Sequence, residues 1–272
     1  MILNLSLAFS FLFSFLFSFI FAIKAQFLLP IYSLPQTAQL MYVDKIGNFY
    51  TVEDYTLTKY DAAAEPVFVY NDNQNGKISH ADFSNPLQPL LFYSFYSRAI
   101  LLDRTLNKQS LLDFSEIAEG SFLSCVSLAS DNNVWIYNPN TFLIEKLDKF
   151  ANVVYKSADL GTLVDQNGFF PAQICEYENH IFLYEPEIGL MCFDLFANYQ
   201  KTIPIKGVSN LHFHQQQVFY TYADQLFSYN LQTEQGQLLR YELPDESILQ
   251  FAAFQNFIWL RYPHKIDCFK IE

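Results

Sequence analysis

"VDKIGNFYTV" (43–52) is a short polar turn that opens directly into a run of aromatic and β-branched residues. The same phrase returns as "LQPLLFYSFY" (87–96), "SDNNVWIYNP" (130–139), "YENHIFLYEP" (177–186), "HQQQVFYTYA" (214–223) and "FQNFIWLRYP" (254–263). With Phe49, Leu91, Val134, Ile181, Val218 and Ile258 as equivalent anchors, the steps between units are 42, 43, 47, 37 and 40 residues. Within each unit a strand precedes the turn, as in "NLHFH" (210–214), and a second turn leads to a third strand such as "LFSYNL" (226–231). Five of the six third strands close on Asp or Asn, at Asp61, Asp103, Asp148, Asp194 and Asn230. A short Asx side chain hydrogen-bonds the backbone of the turn it starts, so this recurrence is turn chemistry.

A strand-rich repeat of about 40 residues has the blade length of a propeller. Six such units predict an all-β fold, a six-bladed β-propeller of four-stranded blades. A fourth, outer strand is visible in several units, for example "PVFVY" (66–70) and "NVVYKS" (152–157). No amphipathic helical pattern of any length follows residue 26, which excludes helical repeats. The sixth unit is short of an outer strand because the chain stops at Glu272. The stretch "FLLPIYS" (27–33) is predicted to supply it, closing the ring with chain from both ends and leaving fewer exposed strand edges.

The unit "VDKIGNFYTV…LTKYD" resembles the repeats of six-bladed NHL-like propellers, in which Asp-x-x-Gly-Asn opens the second strand and an Asp closes the third. The stretch "FDLFANYQKTIPIKG" (193–207) resembles a blade of the uncharacterised exported bacterial propellers of that group. The resemblance spans residues 27–272 as architecture, and since it rests on turn motifs it implies a fold and no chemistry. Ala197 stands where such a turn has Gly, and "DAAAEP" (61–66) likewise lacks one. Trp-Asp strand ends are missing, so the WD40 class is not supported.

Ahead of the repeats, "FSFLFSFLFSFIF" (9–21) sits in a stretch, Met1 to Ile23, without a charged side chain. Its alternation mimics a strand, but about 20 apolar residues is also the length that crosses a bilayer as a helix. Ala22 and Ala25 then suit a cut that leaves Gln26 first. Residues 1–25 therefore read as an export signal and 26–272 as a single propeller domain in the periplasm or cell envelope. An uncleaved membrane anchor over residues 1–23 is the alternative. Lys24, on the far side of the apolar run, favours cleavage.

The formal charge of −12, from 16 Lys and Arg against 28 Asp and Glu, repels phosphate backbones and argues against nucleic acid as a partner. No Lys/Arg run of the kind that docks on anionic lipid is present. Cys125, Cys175, Cys192 and Cys268 form no C-x-x-C pair, which disfavours zinc ribbons and thioredoxin-type chemistry. Buried free thiols and a disulfide are both compatible with their spacing.

His212 and His214 form H-x-H in a first strand, where both side chains share one face toward the channel, one way to hold a transition metal. A third ligand would come from His80, Asp82 or Glu176 on another blade. The plainer reading is a polar channel wall. Six-bladed propellers also include calcium-dependent lactonases that gather acids at a channel mouth, and Asp82 and Glu176 are the channel acids for such a site. Asp44 and Asp131 lie in turns that account for them. A G-x-S-x-G elbow and a Gly-rich phosphate loop are absent. Runs such as "FYSFYSR" (92–98) and "FYTYADQLFSY" (219–229) put aromatics on both strand faces, and Tyr and Arg at a surface suit protein or carbohydrate contacts. The sequence thus predicts no catalytic residue, no cofactor, and a monomeric binding scaffold with a protein partner. A calcium-dependent lactonase-type hydrolase and a small-ligand sensor using the channel are the alternatives.

Overall fold

The computed structural model describes residues 28–166, 168–208, 210–239 and 246–271. The export signal or anchor expected over residues 1–25 lies outside the described residues.

Six four-stranded antiparallel sheets follow one another around a ring, each a simple up-and-down meander. Blade 1 runs Leu40–Val43, Phe49–Glu53, Thr56–Tyr60 and Pro66–Asn71 from the inside out. The remaining first strands are His80–Asp82, Val126–Leu128, Gln173–Tyr177, Leu211–His214 and Gln250–Phe254. All six predicted anchors fall in second strands. In the sixth blade the third strand, Lys265–Ile271, pairs with Leu28–Pro35 from the other end of the chain. The ring is therefore closed by the N-terminal strand, as the sequence predicts. Pro30 and Pro35 are tolerated there because the strand is outermost, where a missing N–H costs no ladder bond.

Alternation along the second strands explains why they carry apolar residues on both faces. In Val134–Asn138, Val134 and Ile136 pack toward blade 2 against Leu90, Phe92 and Leu101, whereas Trp135 and Tyr137 pack toward blade 4 against Ile181, Leu183 and Phe193. Successive side chains of a strand point to opposite faces, and here both faces are covered by another sheet. Each of the six blade junctions carries one such cluster, so the core is a ring of six interfaces. By contrast, the outer strands Pro66–Asn71 and Val153–Lys156 are largely exposed.

Turns fall on two faces. The links between first and second strands and between third and fourth strands lie on one face. The links between second and third strands, and those from blade to blade, lie on the other. Asp44, Asp61, Asp103, Asp148 and Asp194 each start a turn of the first face, and each Oδ1 accepts the backbone N–H groups two and four residues on. The fourth residue of each turn has positive φ: 89° at Gly47, 64° at Ala64 and Leu106, 62° at Ala151 and 48° at Ala197.

One segment departs from its expected form. The run "FYSFYSR" is not a continuous strand: after Leu90–Tyr93 the chain makes a short 3-10 turn, Ser94–Tyr96, ending on Ser97 in left-handed backbone. The Ser94 N–H donates to Ser79 Oγ, which turns the chain before Phe95 and leaves Phe95 and Tyr96 at the surface. All four cysteines are free thiols, three buried and Cys175 half-buried.

Candidate functional site

The six first strands enclose a central cavity of about 1060 Å³. Its wall includes His80, Asp82, Glu176, His212 and His214, so the residues singled out in the sequence all face the channel. A first strand has no sheet partner on its inner edge, because neighbouring blades splay apart around the ring. Its backbone groups on that edge therefore need partners of another kind.

Side chains from the adjacent blade supply them. At the junction of blades 1 and 2, Tyr42 Oη accepts the N–H of Ala81 at 3.0 Å and lies 3.4 Å from His80 Nδ1. Between blades 2 and 3, Asp82 Oδ2 accepts the N–H of Leu128 at 2.7 Å. Glu176 of blade 4 reaches back to blade 3, where its two oxygens accept the N–H of Ser130 at 3.1 Å and the indole Nε1–H of Trp135 at 2.6 Å. Gln173 donates to the carbonyl of Leu211, and Tyr177 Oη accepts from the N–H of Gln216, which joins blades 4 and 5. His212 Nε2 sits 2.8 Å from the carbonyl and 3.1 Å from the amide of Ala253, and His214 Nε2 accepts the N–H of Gln255 at 3.2 Å. Finally Gln250 closes the circle: its side-chain amide accepts from the N–H of Met41 and donates to the carbonyl of the same residue, both at 2.8 Å.

These contacts tie every blade junction at the channel wall. Asp82, Glu176, His212 and His214 each hold the neighbouring blade's backbone or side chain. No group of three or more His, Cys, Asp or Glu side chains placed to hold a metal ion occurs among the described residues. His212 and His214 do lie face to face, with ring centroids 6.3 Å apart, but the Nε2 of each is directed at blade 6 backbone. Tyr42, Gln173, Tyr177 and Gln250 belong to the same set and carry no chemical motif. The eight residues stand between four and nine positions ahead of their blade's anchor, in no common column of the repeat.

Burial disfavours the charged form of the histidines in this wall. It pushes the His212 imidazole down to about 4 and also lowers His80 and His214. The Tyr42 phenol is raised, again chiefly by burial. Burial likewise raises Cys175 well above the ordinary thiol range, Cys125 to about 12 and Cys268 to about 11, so none is a thiolate nucleophile at neutral pH.

A second feature is at the surface. Phe95 is 70 % exposed and meets Tyr96 edge-on, with ring centroids 4.8 Å apart. The Arg98 guanidinium lies 5.6 Å above the Tyr96 ring. Phe122, 64 % exposed, belongs to the link into blade 3, which is fastened to this turn by the Leu123 N–H donating to Ser97 Oγ. Phe95 and Tyr96 thus form an aromatic pair on the face of the blade-to-blade links, a face that also carries the exposed Phe122.

No protein-family model matches the chain, and no curated protein matches its sequence. Solved structures do match in shape. A streptogramin B lyase aligns with a TM-score of 0.60 at 10% identity, over 90% of this chain and 97% of that one. The virginiamycin B lyase from Staphylococcus aureus aligns at 0.59 and 10%, over 88% of this chain and 83% of that one. The Pan2 WD40 domain of Neurospora crassa aligns at 0.54 and 11%, over 86% and 74%. The likeness is one of fold. A propeller hosts many unrelated activities, and at these identities the neighbours' chemistry does not carry over.

Proposed function

We propose that this protein is an exported, non-catalytic binding platform of the cell envelope. It presents the exposed aromatics of one face, the Phe95–Tyr96 pair and Phe122, to a protein partner. The observation that carries this reading is the engagement of the channel's ionisable side chains. Asp82, Glu176, His212 and His214 hold blades together, and a group committed to backbone hydrogen bonds is poorly placed to turn over a substrate. The platform reading also suits the surface, since exposed aromatics beside an Arg are the side chains that anchor protein interfaces. Its acidic balance argues against nucleic acid, and its partner is a folded or extended protein.

The test is mild cross-linking and affinity purification of the native protein from fractionated cells, run beside the Phe95→Ser/Phe122→Ser variant. A stoichiometric partner held by the native chain and lost from the variant supports the reading. Calcium-dependent hydrolysis of esters or lactones by the purified protein, abolished by Asp82→Asn, would replace it with the lactonase alternative.

A further inference from the structure

Four turns on the face opposite these aromatics end in large apolar side chains that touch little of the protein. Ile46, Leu87, Phe150 and Phe196 are 62, 67, 72 and 67 % exposed. Three of them fill the third position of the repeated Asp turn. The N–H groups of Ile46, Phe150 and Phe196 donate to the Oδ1 of Asp44, Asp148 and Asp194 at 3.0, 2.8 and 2.9 Å. Leu87 is held in the same way by Asn85 Oδ1, at 3.1 Å. Each turn therefore satisfies the N–H at its own tip internally and projects an apolar side chain outward. An exposed turn can enter an apolar medium only if its backbone groups are already paired.

The chain also enters the fold on this side. Leu28 opposes Ile271 at the end of the third strand of blade 6, on the face where third and fourth strands are linked in the other blades. The uncharged stretch Met1 to Ile23 is separated from Leu28 by only four residues, a tether of no more than about 18 Å when fully extended. A bilayer holding that stretch would lie within about 18 Å of Leu28, whose end of the blade is on the side of the four tips.

We propose that this face rests on a lipid bilayer, with Ile46, Leu87, Phe150 and Phe196 dipping into its interfacial layer and residues 1–23 retained as the anchor. This goes beyond the platform reading and leaves the face of Phe95, Tyr96 and Phe122 pointing away from the membrane, free for its partner. The contact is apolar. Asp61, Glu65, Asp131 and Glu234 accompany Lys45, Arg104 and Lys149 on the same face, so no net attraction to anionic lipid drives it. Lys149 lies with its Nζ 5.0 Å from the Phe150 ring centroid, placed to remain at headgroup level while the ring inserts. The tips are spread over four blades, and a flat fluid surface accepts separated tips without the shape complementarity that a protein would need.

The experiment uses the full chain in zwitterionic phosphatidylcholine nanodiscs containing brominated lipid. Single variants Phe150→Trp, Phe196→Trp and, on the opposite face, Tyr222→Trp report depth by loss of indole fluorescence over the constant background of Trp135 and Trp259. The expected result is quenching and blue-shifted emission for the first two, unchanged by added salt, no extra quenching for Tyr222→Trp, and a chain from native membranes that begins at Met1. Equal solvent exposure of all three indoles overturns the proposal, as does a native chain that begins at Gln26. Protection of Phe150→Trp that appears without lipid and grows with protein concentration overturns it in favour of contact between copies. None of these outcomes bears on partner capture by Phe95 and Phe122, so the two readings fail separately.

Discussion

Ala64 adopts a left-handed backbone, φ 64°, at the position where the blade 1 hairpin Asp44–Asn48 uses Gly47 at φ 89°. The two positions differ in what surrounds them. A Cβ on Gly47 would fall 2.7 Å from Phe254 Cε1, so only glycine fits there. Ala64 has a methyl group that clashes with its own carbonyl, at a cost of about 1–2 kcal/mol for an L-residue in this region. Replacing it with Gly relieves that strain while adding unfolded-state entropy worth about 0.4–1 kcal/mol. Ala64→Gly is therefore expected to stabilise the protein by about 0.5–1 kcal/mol, read as a higher midpoint in urea titration. Ala197, in the equivalent turn of blade 4, is buried, and there the lost methyl contact offsets the gain. At the same scale, His212 has an unfolded value of about 6.5 and a folded value depressed by burial to about 4. A depressed folded value means that the unfolded chain takes up the proton first. Stability is then complete above about pH 6.5 and falls as the pH drops toward 4. The slope over that window should flatten in His212→Gln, measured by thermal unfolding across the pH series.

The first strands are the elements on which the ring depends. Gln250 satisfies both the N–H and the carbonyl of Met41, and all of these groups are buried. Gln250→Ala leaves two buried backbone groups unpaired and is expected to cost about 2–4 kcal/mol. Asp82→Ala removes the acceptor for Leu128 N–H and should cost about 1–3 kcal/mol, in the absence of any added ion. A carboxylate kept only for metal binding would behave in the opposite way, since its removal relieves repulsion in the metal-free protein. Equal stability of Asp82→Ala and the native chain in denaturant titration would refute its assignment to the blade junction. The same elements explain what the repeat pattern left unseen. Asp turns are legible because donor and acceptor are two to four residues apart, and the residue type follows from the turn. The junction contacts are not, because Tyr42 meets a partner 39 residues away, Asp82 one 46 residues away and Gln250 one 209 residues away.

Across the whole molecule, six interfaces of similar composition must close on one another, and the last blade is completed only by the N-terminal strand. Leu28–Pro35 pairs along the whole third strand of blade 6, and Trp259 Nε1–H donates to Tyr32 Oη at 2.8 Å. A chain that starts at Gln36 keeps five complete blades but exposes the edge of Lys265–Ile271. It is expected to melt at a markedly lower temperature and to self-associate through that edge. An unchanged melting point by scanning calorimetry would mean that the ring does not depend on this strand. The sequence by itself determined the number of blades, the strand order within each, the Asp turns and the closure by the N-terminal strand. All of these follow from local patterning repeated at a fixed period. Tertiary structure alone decided that the channel's acids and histidines join blades, that "FYSFYSR" breaks into an exposed turn, and which apolar tips share a face. Those outcomes depend on the angle between neighbouring sheets, which leaves inner edges unpaired and sets which side chain can reach them, and no single blade's sequence encodes that angle.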